Sequence, residues 1–85
     1  MKMGMLWYDD DPKADLHAKV HRAAEYYHKK YGVRPNLCFV HPSMLNQERL
    51  QLNGIEVRTN RRILRNHLWL GLLELGDPAP SLQGS

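Results

Sequence analysis

The sequence predicts an α+β fold: a two-layer sandwich, one long helix packed on a mostly antiparallel sheet containing a tight Asn-Gly hairpin. Three observations carry that expectation. First, Leu50-Gln51-Leu52-Asn53-Gly54-Ile55-Glu56-Val57 sets two alternating apolar runs on either side of Asn-Gly, the strongest short-range hairpin signal. Second, Leu16, Val20, Ala23, Ala24, Tyr27 and Tyr31 recur at helical spacing and form one apolar stripe. Third, Asn36–His41 and His67–Leu73 are apolar runs of strand length, bounded by turn residues.

The chain has 85 residues, 12 Lys and Arg against nine Asp and Glu, and a formal charge of +3. That length suits one domain with one core, and so mild a basic balance selects no ligand by itself. Residues 1–76 are expected to form the domain and 77–85, rich in Pro, Ser, Gly and Gln, a flexible tail. One cysteine, Cys38, excludes an internal disulfide, so an intracellular and specifically cytoplasmic setting is expected. The opening apolar stretch is too short for a signal sequence. No run approaches the roughly 20 apolar residues of a membrane span, so a soluble protein is expected. There are no internal repeats and no heptads.

Met3–Tyr8 has the hydrophobicity of a strand, although its composition settles the assignment least of all the elements. Placed before the helix, it makes a βαβ unit with the Asn36 strand, for which a right-handed crossover is the rule. Asp11-Pro12 supplies a helix start, since Asp accepts from free first-turn amides and Pro lacks only a donor that is unsatisfied there. The helix is expected to run on to Tyr31, about 30 Å in all, with Lys29 and Lys30 opposing the negative end of its dipole and Gly32 as left-handed cap. Ala23 and Ala24 allow close approach to the sheet. Tyr27 and Tyr31 fill the far end with their hydroxyls near water, and Ala18, Arg22 and Lys29 lie opposite the stripe.

Asn36–His41 is nearly all apolar and so reads as a central strand. Pro42–Gln47 suggests one helical turn that tucks Met44 and Leu45 under the sheet edge. In the hairpin, a type I′ turn at Asn53-Gly54 sets Leu52 against Ile55 and Leu50 against Val57 on the buried face. Gln51 then lies opposite Glu56 and Arg49 opposite Arg58 on the other. Two opposed arginines repel unless a carboxylate or an anion lies between them. Thr59–Asn66 is a polar connection broken by Ile63-Leu64, and His67–Leu73 is the last strand. One helix covers one face of a four- or five-stranded sheet, so the second face, with Trp69 and either Cys38 or Phe39, calls for a partner: a second copy, or a larger protein assembly.

Candidate sites follow from residue chemistry. His17 and His21 stand at i and i+4, with His28 on the same shoulder of the helix, a spacing that can present imidazoles to one metal ion. A metalloprotease helix carries Glu after the first His, and position 18 is Ala. Cys38 and His41 would have to complete a zinc site, but residues three apart on a strand point to opposite faces. Cys38 beside a His base is the minimal constellation for nucleophilic catalysis, yet its mid-strand position between Leu37 and Phe39 suits a core residue better. Asp9-Asp10-Asp11 could ligate a hard cation, although an acidic run at a helix start commonly serves the dipole. No phosphate loop and no cofactor motif is present.

The basic stretch is the clearest functional signal. Arg58, Arg61, Arg62, Arg65 and His67 lie in a window without acids from Val57 to Leu73, and the hairpin register adds Arg49. Guanidinium forks suit phosphates or carboxylates, and Trp69 or a helix tyrosine could stack a base. The expectation is a non-enzymatic interaction module that self-associates or binds another protein and turns this loop toward an acidic partner. Weak, sequence-tolerant nucleic-acid binding through Arg58–Arg65 is the alternative; a metal or enzyme site on His17, His21 and Cys38 is a further one. The plain reading of the arginines is a solvated loop paired with Glu48, Glu56 or the aspartates.

Overall fold

The computed structural model describes residues 4–73. It consists of β1 (Gly4–Tyr8), α1 (Leu16–Tyr31), β2 (Leu37–Val40), a 3-10 turn (Pro42–Met44), β3 (Arg49–Leu52), β4 (Ile55–Thr59) and β5 (His67–Gly71). The strands form one sheet in the order β1-β5-β2-β4-β3. All neighbours pair antiparallel except β2 and β4, and α1 covers one face. The tail expected over 77–85, and the domain's end at 76, lie outside the described residues.

The helix begins later than Asp11-Pro12 suggests. Asp15 is the N-cap, its carboxylate accepting from the Ala18 backbone N–H at 2.9 Å. Asp11 instead closes the turn before the helix, accepting from the Lys13 backbone N–H at 2.9 Å. Asp11 has the same capping chemistry, but its carboxylate and carbonyl are taken by the Lys13 and Ala14 N–H groups of that turn, which leaves Asp15 to open the helix. The C-terminal end follows from Gly32, whose φ of 79° continues no right-handed helix and whose N–H donates to the His28 carbonyl.

The buried stripe is Val20, Ala23, Ala24 and Tyr27, with Leu16 and Tyr31 packed at its ends. It meets Met5, Cys38, Val40, Leu52, Ile55, Val57, Leu68 and Leu70. These alternate along their strands with residues of the other face, the period-2 pattern of a sheet covered on one side. Tyr27 departs from the expectation that both tyrosine hydroxyls stay near water: it is wholly buried, between the helix and the sheet, with Tyr31 4.6 Å away. The Tyr31 hydroxyl donates to the Gly4 carbonyl at 3.4 Å.

β2 is the central strand. It is not a neighbour of β1, however. The last strand, β5, inserts between them and pairs antiparallel with both, so β1-α1-β2 is a split unit. Asn36 ties β2 to the end of β5: its side-chain amide donates to the Leu73 carbonyl at 3.2 Å and accepts from the Leu73 N–H at 2.6 Å. In the hairpin Leu52 pairs with Ile55, Gln51 with Glu56, Leu50 with Val57 and Arg49 with Arg58, and Asn53 and Gly54 turn at φ of 47° and 83°.

Candidate functional site

The open face of the sheet divides into an aromatic half and a charged half. Register places Leu6, Trp69, Phe39, Arg58 and Arg49 in one row across all five strands, with Tyr8 beside His67 in the next row. Of the two residues weighed for this face, Phe39 occupies it and Cys38 faces the helix. Leu6 and Tyr8 are each 58% exposed, and Phe39, His67 and Trp69 are half-buried. Leu37, at the opposite end of the face, is fully buried. In the aromatic half the accessible part therefore lies at the end where the loop 60–66 crosses from β4 to β5.

Aromatic contacts stiffen that end. Tyr8 and His67 approach with ring centroids 5.0 Å apart, and Phe39 and Trp69 at 5.7 Å. The Trp69 indole lies over Gly4, where an added Cβ would run into Cζ2, Cε2 and Nε1, so a glycine at that position lets the indole settle onto the backbone. The Tyr8 hydroxyl donates to Asp10 at 2.8 Å. Among the helix tyrosines, Tyr26 is exposed but packs 5.2 Å from Trp7, on the helix side of the sheet.

In the charged half, Glu56 lies between the opposed arginines. Its Oε2 accepts from Arg58 Nε at 2.8 Å and lies 3.7 Å from Arg49 Nη1. The Arg58 hydrogen bond outweighs burial and holds the Glu56 carboxyl below its ordinary range. The acidic run is engaged as well. Arg22 leaves the outer helix face to reach Asp9 at 3.2 Å and Asp11 at 3.3 Å. Burial alone would raise the Asp9 carboxyl, but the Asp11 backbone N–H and Arg22 together outweigh it and lower it. Arg34 reaches Glu25 at 3.7 Å.

That leaves Arg61, Arg62 and Arg65. Four of the seven arginines of the chain, Arg22, Arg34, Arg49 and Arg58, have an acidic partner, and these three, all exposed, have none among the described residues. Their loop is nonetheless shaped. The Asn60 side chain accepts from the Arg62 N–H at 2.8 Å, the Asn60 N–H donates to Val40, Asn66 adopts a φ of 64°, and the Asp9 N–H donates to the Asn66 carbonyl at 2.8 Å. His67 Nδ1 lies 2.9 Å from the Arg65 carbonyl. The loop thus joins the Tyr8 ring of β1 and the His67 ring of β5 through its own backbone.

The remaining candidates are dispersed. His17 and His21 are exposed on the helix and border a groove of about 410 Å³ against the hairpin, with Glu25 and Arg34 in its wall. Among the described residues no three His, Cys, Asp or Glu side chains converge to hold a metal ion. Cys38 is wholly buried, and burial pushes its thiol up to about 12. A thiol in that state is protonated at neutral pH and meets no substrate. His41 caps the Pro42 turn, accepting from the Ser43 N–H at 3.0 Å. Among the described residues no helix is long and apolar enough to cross a membrane.

Tyr8 and Gly4 were beyond sequence reasoning. Every residue from Met5 to Tyr8 is apolar or aromatic, so no alternation tells which side of β1 faces out, and the Tyr8–His67 contact is a pairing across most of the chain. No family model, curated protein or solved structure matches the chain.

Proposed function

We propose that the chain is a small non-enzymatic interaction module, intracellular in setting, that turns the Arg61-Arg62-Arg65 loop toward an acidic partner. The observation that carries this reading is the contrast among the arginines: four lie within 3.7 Å of an acidic side chain, while three in one shaped loop are exposed without an acid among the described residues. Exposed guanidiniums held at a sheet end can pair bidentately with carboxylates or phosphates, and the field of such a cluster favours anionic partners over neutral ones.

The test is retention on a polyanion matrix. The parent is expected to elute at higher salt than the variant carrying Arg61→Gln, Arg62→Gln and Arg65→Gln, with a salt dependence steeper by up to about three anion contacts. Co-elution of the two would leave the loop a solvated surface. Self-association is a second reading, favoured by Leu6 and Tyr8, both 58% exposed on the edge strand β1. Sedimentation that stays monomeric at high concentration would remove it.

A further inference from the structure

We infer that the acidic partner is single-stranded nucleic acid, its bases stacked on the open face at Tyr8, His67 and Trp69 and its phosphates held by the loop arginines. The inference rests on the arginine reading above and adds to it an independent feature, the rings. Arg65 is two residues from His67, whose ring packs on Tyr8, and its carbonyl lies 2.9 Å from His67 Nδ1. The backbone of the arginine loop and the rings therefore meet at one end of the sheet. His67 and Trp69 are two apart on the same strand, a separation of about 7 Å. That backbone spacing is roughly twice the 3.4 Å rise of stacked bases, and in the inferred mode each ring takes its own splayed base.

Two other occupants fit less well. A second copy seated face to face would have to desolvate the charged half of the sheet, with Arg49 at 69% exposure, and like-charged loops bring no compensating anion. An acidic protein would satisfy the arginines but has no need of a row of π-faces beside them. Single strands use both, because stacking is tolerant of sequence and phosphates supply the negative charge. A duplex hides its base faces and leaves the rings unused.

The experiment titrates the full chain with four probes at fixed salt: a ten-residue oligouridylate, the matching oligodeoxythymidylate, inorganic polyphosphate of equal charge, and poly-glutamate. The parent, Tyr8→Ala and the triple arginine-to-glutamine variant are compared. Trp69 emission is read in a Trp7→Phe background. Tyr8 is more than half exposed, so its removal spares the core, and a urea curve on each variant verifies that.

The expected result is quenching of Trp69 by the oligonucleotides and not by polyphosphate. Tyr8→Ala should weaken oligonucleotide binding about 5- to 100-fold while leaving polyphosphate binding unchanged. Similar affinity for both oligonucleotides is expected, because stacking and phosphate contacts are common to RNA and DNA. Equal affinity for polyphosphate and oligonucleotide, with no effect of Tyr8→Ala, would overturn the stacking inference and leave the arginine loop standing. Tighter binding of poly-glutamate than of either oligonucleotide would overturn it in favour of an acidic protein. Failure of all four probes would overturn both this inference and the reading beneath it.

Discussion

Replacing Glu56 with Gln removes the one carboxylate that lies between two opposed arginines, and the cost can be assembled from the geometry. The Arg58 Nε bond is short, at 2.8 Å, and both groups are sheltered, at 14% and 23% exposure. A hydrogen bond to a charged group contributes about 1.5–3 kcal/mol, of which Gln, still an acceptor, forfeits about 1. Arg49 is 69% exposed and 3.7 Å away, so its pairing contributes only about 0.3 kcal/mol. The uncovered repulsion between Arg49 and Arg58 adds about 0.5 kcal/mol. The sum is about 2 kcal/mol, which moves a urea midpoint by about 2 M when the slope is about 1 kcal/mol per M. The Glu56 carboxyl is lowered in the folded state, so its stabilisation is fully present above the unfolded value, about 4.3, and is lost as pH falls through the lower folded value. Parent and variant should therefore differ at pH 7 and converge as the solution is acidified below about pH 4. A variant within about 0.5 kcal/mol of the parent at pH 7, or a gap that persists in acid, would show that Glu56 does not relieve the opposed arginines.

Three further outcomes are expected. Gly54→Val should destabilise the hairpin by at least about 1 kcal/mol, because a β-branched residue is strained at a φ of 83°; a denaturation midpoint equal to the parent's would contradict the turn. Asp15→Ala should cost about 1 kcal/mol as an N-cap loss, seen in thermal melts followed by far-ultraviolet circular dichroism, and Asn at the same position should restore most of it. Cys38, buried with its thiol at about 12, should react with a thiol reagent in the native chain only as fast as the fold opens, so labelling faster than unfolding would show an accessible thiol.

What the sequence made legible were features in which a local signal and its structural consequence coincide. Asn53-Gly54 announces positive φ at two adjacent residues, and with that turn the pairing of every residue in the hairpin follows, including the opposition of Arg49 and Arg58 that Glu56 relieves. The helix stripe was equally plain, since Val20, Ala23, Ala24 and Tyr27 share one side at a 3.6-residue period. The helix start expected at Asp11-Pro12 was four residues early: Asp11 has the chemistry of a cap, but it closes the preceding turn on Lys13 and Asp15 caps the helix.

The place of β5 between β1 and β2 was not legible at all. It depends on which strand edges are left to pair after the hairpin docks on β2, a non-local matter on which propensity is silent. The candidate site divides in the same way. Its arginines stand out as a run free of acids in the sequence, whereas its rings come from β1 and β5, brought together by that same insertion.

Whether the arginine loop and the open sheet face act as one binding surface can be read from backbone amide shifts while a ten-residue oligouridylate is added to the full chain. The perturbed amides are expected in β1, β5 and the loop from Arg58 to His67, with those of Leu16–Tyr31 nearly still. Shifts centred instead on the outer helix face, around His21, Lys29 and Lys30, would contradict it and move the polyanion site to the opposite side of the molecule.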